Sequence, residues 1–215
     1  MPGDTRDNLL AAAERLFAEH GVAAVSLREI ARVAGAKNVI AVQYHFADRG
    51  GVLQAILDKH LPDVEARRHA LLDLLAGEPE PAVRPLAGAL VRPLAAKLAD
   101  ADGGPAFLRV YADLLNRPRP PVALLTDARY RSLQRWHDQL QPLLDPTAAR
   151  LHPRQTAVVY TSVELARRAA AGPHTDDRLF TSHLVDVVAA ILTAPVSDET
   201  RHLVARNRRQ AAEVS

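Results

Sequence analysis

Between Leu27 and Phe46 the apolar residues recur twice with the period of a helix, on either side of a glycine. Leu27, Ile30, Ala31 and Ala34 stand at i, i+3, i+4 and i+7, Gly35 interrupts them, and Val39, Val42 and Phe46 form a second stripe. Two short amphipathic helices joined by a glycine turn make a helix-turn-helix, which presents its second helix to the major groove of DNA. Local signals agree with this reading. Ser26 followed by Glu29 is a capping box for the first of the two helices, and Asp48 is placed to cap the helix that comes after them. Upstream, a helix beginning at Asp4, with Asp7 as its capping partner, buries Leu9, Ala13, Leu16 and Phe17 and ends at Gly21.

With Val39, Val42 and Phe46 facing inward, a turn of about 100° per residue leaves Ile40, Ala41, Gln43 and Tyr44 outward. Their chemistry suits a groove: Ile40 can touch a thymine methyl, Gln43 can pair with an adenine edge, and Tyr44, His45 and Arg49 can donate to phosphates. Lys37 and Asn38 stand at the start of the reading helix, where free N–H groups and the helix dipole favour an anion. Arg28 and Arg32, one turn apart on the preceding helix, can grip the DNA backbone. Each group has a plainer alternative. Tyr44 and His45 can cap a small hydrophobic core, Lys37 and Asn38 can form an ordinary turn, and the two arginines can be a solvated face beside Glu29.

The ordered set Phe17, His20, Gly21, Ile30-Ala31, Ala34-Gly35 and Tyr44-His45-Phe46 resembles the tetracycline-repressor (TetR/AcrR) family of bacterial transcription regulators, over residues 5 to 60. Arg49 stands where that family usually has lysine, and Gly50-Gly51 replace strong helix formers. The resemblance implies a homodimer whose heads bind a palindromic operator in double-stranded DNA, and a body that takes a small-molecule effector, with no cofactor and no catalysis. A repressor is the role it suggests.

Composition points to the same fold class. At 215 residues with 48% hydrophobic content the chain is long enough for a packed core, and its 4% aromatics against abundant alanine, leucine and valine favour closely packed helices over a sheet. The expectation is an all-α protein: a three-helix DNA-binding head over residues 1–48 and a larger helical ligand-binding and dimerisation body over 49–215. Without cysteine the chain has no disulfide, thiolate metal site or cysteine nucleophile. No signal-like start and no long uncharged apolar run occurs, so the expected location is the cytoplasm, away from any membrane. Net charge is only +2, and within residues 1–60 seven basic residues balance seven acidic ones, so any DNA affinity has to come from placement.

Beyond the head, proline and glycine clusters separate helices expected near 62–76, 82–101, 106–116, 121–144, 154–171 and 176–193, with a last basic helix from Ser197. Pro62 predicts a kink or a break, and Gly50-Gly51 a soft joint between head and body. Arg109, Tyr111, Tyr130, Trp136 and His137 are the candidate ligand-binding residues, since cavities combine aromatic walls with a few polar groups; most such residues are otherwise core or rim. Val159, Val163, Ala166 and Ala170 form a small-residue stripe, and Leu184, Val187, Val188 and Ile191 a broader one; in the resembling family such a pair of helices meets its twin in a dimer. Histidine spacing offers no metal site, and no nucleophile elbow or phosphate-binding glycine loop occurs. Two rival readings stay open: a helical enzyme whose N-terminus only resembles the motif, and an architectural DNA-binding protein that senses nothing.

Overall fold

The computed structural model describes residues 2–36, 38–80, 82–117 and 130–213. Every regular element among them is helical, so the chain is all-α. The head begins with α1 (Pro2–His20), α2 (Leu27–Val33) and α3 (Ile40–Phe46), and α4 (Arg49–Ala76) leads from it into the body. The body adds α5 (Val83–Ala95) with a 3-10 turn (Ala96–Ala99), α6 (Gly104–Leu115), α7 (Ser132–Leu140), α8 (Pro153–Ala170), α9 (Arg178–Thr193) and α10 (Asp198–Glu213).

The helix ends follow from local chemistry. Ser26 Oγ accepts from the Glu29 N–H at 3.1 Å, and Asp48 Oδ1 accepts from the Gly51 N–H at 2.9 Å, each filling an orphan donor of a first turn. At the other end of α2, Gly35 takes φ 72° while the Ala36 N–H reaches Ala31 O and the Gly35 N–H reaches Arg32 O. That is a Schellman closure, which a left-handed glycine makes without steric cost. Pro105 and Pro153 sit in the first turns of α6 and α8, where a missing N–H costs nothing.

One apolar core runs from head to body. Leu9, Ala13, Phe17, Ile30, Val42, Val52 and Ile56 are buried in the head, and Leu72, Leu90, Phe107, Leu114, Trp136, Leu165 and Val188 in the body. In the body α6 lies along α8, and α9 packs on both α5 and α8; α1 packs on α6, so head and body share a contact besides the continuous α4. The expected boundary at residues 48 and 49 falls where α4 starts, and that helix touches both α1 and α3.

Several expectations need correction. Asp4 lies inside α1, which starts earlier, at Pro2. Pro62 does not end its helix: α4 continues for 28 residues, about 42 Å at 1.5 Å per residue, with the proline on an exposed side where one lost hydrogen bond is tolerated. The helix expected over 82–101 closes into a 3-10 turn after Ala95. Of the helix expected over 121–144, residues 121–129 lie outside the described residues, and the described part is α7 followed by a 3-10 turn at Gln141–Leu143.

Candidate nucleic-acid interface

The reading helix α3 is held from behind and bare in front. Val42 is 0% and Phe46 6% exposed, with the Arg6 guanidinium 5.2 Å above the Phe46 ring, whereas Ile40 is 64% and Tyr44 84% exposed. Gln43 shares the open face, because residues 40, 43 and 44 fall within one arc of a helix. Val39 and Ala41 are half-buried at the edges, as is His45, whose ring meets that of Tyr44 edge-on at 5.1 Å. A seven-residue helix about 10 Å long carrying isoleucine, glutamine and tyrosine outward fits the dimensions and donor code of a major groove. An isoleucine and a tyrosine this exposed have no role in the protomer's own packing.

The supporting residues divide. Arg28 is exposed in the first turn of α2. Asn38 is exposed, but its Oδ1 accepts from the Ile40 N–H at 3.1 Å, so it also shapes the turn into α3. Lys37 lies outside the described residues. Arg49 departs from expectation: its Nη2 donates to Val25 O at 2.7 Å and its Nη1 to Ala23 O at 3.5 Å. The guanidinium is turned back onto the α1–α2 loop, which it staples to the start of α4, because two carbonyls there have no helical partner.

The turn between α3 and α4 is tight. Ala47 takes φ 61° and ψ −64°, and the Asp48 N–H donates to Phe46 O at 2.7 Å, which is a γ-turn of the strained hand. It leaves the Phe46 carbonyl against Gly51, where an added Cβ would collide with that oxygen. Gly51 is therefore required for close approach, a reason for glycine at this position that the sequence pattern did not show.

In the body the five candidate ligand residues do not converge. Trp136 is fully buried and its Nε1 donates to Leu86 O at 2.7 Å, which makes it a packing anchor. Tyr130 donates to Asp58 Oδ1 at 2.7 Å. Arg109 faces a different place, a groove of about 420 Å³ shared by α1, α6 and α8. His137 is half-buried, and burial first, then nearby Arg154, lowers its pKa. Tyr111 is buried near residues that the pattern of the sequence did not single out: Glu65, Arg68 and Ser132. Glu65 accepts from the Ser132 N–H and Oγ–H, both at 2.7 Å, and Arg68 Nη1 donates to Ser132 Oγ at 2.8 Å. Burial pushes the Tyr111 phenol up and the Arg68 guanidinium down, and each partly offsets the other. A separate cavity of about 460 Å³ opens near the end of α4 remote from α3, with Leu75, Pro85, Leu86 and Gln139 in its walls and Glu78 and Glu80 also lining it.

On the candidate dimer helices, Val159, Val163, Ala166, Val187 and Ile191 are half-buried and Ala170 is exposed. Leu184 and Val188 are not available to a partner: at 3% and 0% exposure they belong to the protomer's own core, where α9 packs on α5 and α8. Helical periodicity shows that a stripe is buried, not against which neighbour.

Residues 9–56 match the family model described as bacterial regulatory proteins, tetR family. The head is a tetR-family DNA-binding domain. No curated protein matches the chain. Among solved structures it is similar to NalD, the secondary repressor of the MexAB-OprM multidrug efflux pump in Pseudomonas aeruginosa, at 21% identity over 91% of this chain and 100% of that one, with a TM-score of 0.55. It is similar also to AmtR of Mycobacterium smegmatis, at 19% identity over 95% of this chain and 92% of that one, with a TM-score of 0.52. These likenesses show that the fold shared with those two proteins runs through the body as well as the head. Among the described residues no group of three or more histidine, aspartate or glutamate side chains is arranged to hold a metal ion, and no single helix is long and apolar enough to cross a membrane.

Proposed function

We propose that this tetR-family protein is a ligand-responsive transcriptional repressor that binds a palindromic operator as a homodimer and leaves it when a small molecule occupies the body. The observation that carries the reading is the open face of α3, with Ile40, Gln43 and Tyr44 presented on a helix pinned by Val42 and Phe46. Arg28, Tyr44 and His45 supply backbone contacts, Asn38 shapes the start of the helix, and Ile40 and Gln43 read bases. The partner subunit meets α8 and α9 through Val159, Val163, Ala166, Ala170, Val187 and Ile191, of which Val163, Ala166 and Ala170 also border the groove between α8, α1 and α6. Effector binding is supported by the cavity beside Leu75 and Leu86, whose volume lies within the range of small-molecule sites. The repressor role is supported by the likeness to NalD, itself a repressor.

The test combines three measurements on the full chain. Sedimentation should give a dimer at micromolar concentration, selection from random duplexes should return a two-fold symmetric site, and Gln43→Ala should lose discrimination at one base position per half-site. A monomer that binds all duplexes alike would overturn the reading.

A further inference from the structure

A cluster of ionisable groups, of which Glu14, His60 and Lys97 are buried, lies where head meets body, and reading DNA does not require it. Glu14 of α1 is 2% exposed. Its Oε2 lies 3.1 Å from Lys59 Nζ and its Oε1 2.9 Å from His60 Nε2, both on α4. Lys59 Nζ also reaches Asp102 Oδ1 at 2.9 Å, and His60 Nδ1 faces Asp100 Oδ2 at 3.8 Å; both aspartates lie on the turn that leads from α5 to α6. The same turn holds Lys97, whose Nζ bonds Asp100 Oδ2 and Asp63 Oδ2, each at 3.0 Å. His60 stacks on Phe107 of α6 at 4.6 Å. Gly103, at φ 86°, lets the turn pass so close that a Cβ there would collide with Glu14 Oε2.

The geometry points to Glu14 as a positioning residue: with Lys59, His60 and Asp102 it fixes how the head is seated on the body, and so which half-site spacing the dimer accepts. This rests on the dimeric reading above. The reading helix α3 is packed on α1, α1 on α6, and α6 on α8, which carries the proposed dimer face. Any slide of α1 on α6 therefore changes the separation of the two reading helices. An apolar contact tolerates a slide. A buried carboxylate does not, because leaving the Lys59 ammonium and the His60 ring strands its charge away from water. Burial alone would lower the Lys59 pKa, but Asp102 and Glu14 outweigh it and hold it above its ordinary value, so the bridging cation stays charged.

The experiment measures the full-length protein on duplexes whose two half-sites, taken from its own selected site, stand at the selected spacing or one base pair closer or farther. Wild type should prefer its own spacing by roughly tenfold, the order of a mismatched base pair. Glu14→Gln should reduce that preference to about threefold or less with little change on an isolated half-site. Asp102→Asn, whose side chain is 86% exposed and so leaves folding intact, should move the preference in the same direction by a smaller factor. An unchanged spacing preference in both variants, with only a lower melting temperature, would make the cluster purely structural and overturn the proposal. Hydrogen exchange of the free protein gives an arm that needs no DNA: amides of α1 and of residues 100–107 should lose protection together in both variants. If wild type selects no paired half-sites, the dimeric reading fails, and the exchange result alone decides whether these charges seat the head.

Discussion

Gly50 and Gly51 are neighbours in the first turn of α4, and alanine at each should have unequal effects. At Gly51 a Cβ would enter the Phe46 carbonyl oxygen, and that oxygen is fixed by the γ-turn bond from Asp48. Relief requires moving α4 away from α3, at about 1–3 kcal/mol for overpacking. It also strains the Asp48 cap on the Gly51 N–H, worth about 1 kcal/mol, and the γ-turn bond, worth about 1 kcal/mol. Alanine's better helix propensity returns about 1 kcal/mol. The net loss is about 2–4 kcal/mol, which for a chain of this size lowers the melting temperature by about 5–15 °C. At Gly50 the new Cβ would stand 3.1 Å from Asp48 Oδ1, a side-chain atom that can give by a few tenths of an ångström at the cost of part of its cap on the Gly51 N–H. There the same gain in propensity leaves Gly50→Ala within about 1 kcal/mol of wild type, on either side. Thermal denaturation followed by far-ultraviolet circular dichroism, with a DNA titration at one temperature, separates the two. Equal midpoints, or a stabilised Gly51→Ala, would refute the close approach.

Arg28→Ala should weaken binding to all duplexes alike and flatten the plot of log affinity against log salt by about 0.9, if the guanidinium neutralises one phosphate; titrations at several salt concentrations check it. Arg49→Ala, by contrast, should leave that slope unchanged and lower head stability, because its guanidinium holds Val25 O and Ala23 O; denaturation beside the same titration tells these apart. Val163→Arg should put a charge into the proposed subunit contact and give a folded monomer by sedimentation, with loss of operator binding. Acid stability should depend on Lys97. Its hydrogen bond holds Asp100 below the ordinary carboxylate value of 3.8, and at Asp63 it and Arg67 outweigh a burial effect that would raise the pKa. The stability from both carboxylates is complete above that value and is lost as pH falls through their lower folded values, so the gap between wild type and Lys97→Met should shrink across that window in acid titrations.

Features that depend on neighbours in sequence were legible. Ser26, Gly35 and Asp48 act as their types predict, because caps and left-handed closures involve residues within five of one another. Of the trio expected inward, Val42 and Phe46 were legible for the same reason, since helical period decides which residues share a face, whereas Val39, ahead of the first turn of α3, is only half-buried. Long-range partners were not. Nothing in the spacing of Glu14, Lys59 and Asp102 says that they meet, and Arg49 has the chemistry of a phosphate ligand until the loop carbonyls beside it are placed. Leu184 and Val188 show the same limit, since two helices that each bury a stripe can bury it in the protomer or in a dimer. Gly51 is the sharpest case. Its type suggested flexibility, whereas its position demands the absence of a side chain.

Trp136 is the chain's one tryptophan, and it sits fully buried in the body with its indole N–H bonded to Leu86 O. The protein therefore carries a built-in optical reporter that sees only one of its two functional parts. Its emission should lie to the blue while the body is folded and shift red when the body opens, and melting of the head alone should leave it almost unchanged. Its neighbour in sequence, His137, lies with its ring 5.2 Å from the indole, close enough for a change in that imidazole to alter the intensity. A small molecule that settles beside Leu86 would announce itself in the same signal, without a label and before any DNA is added.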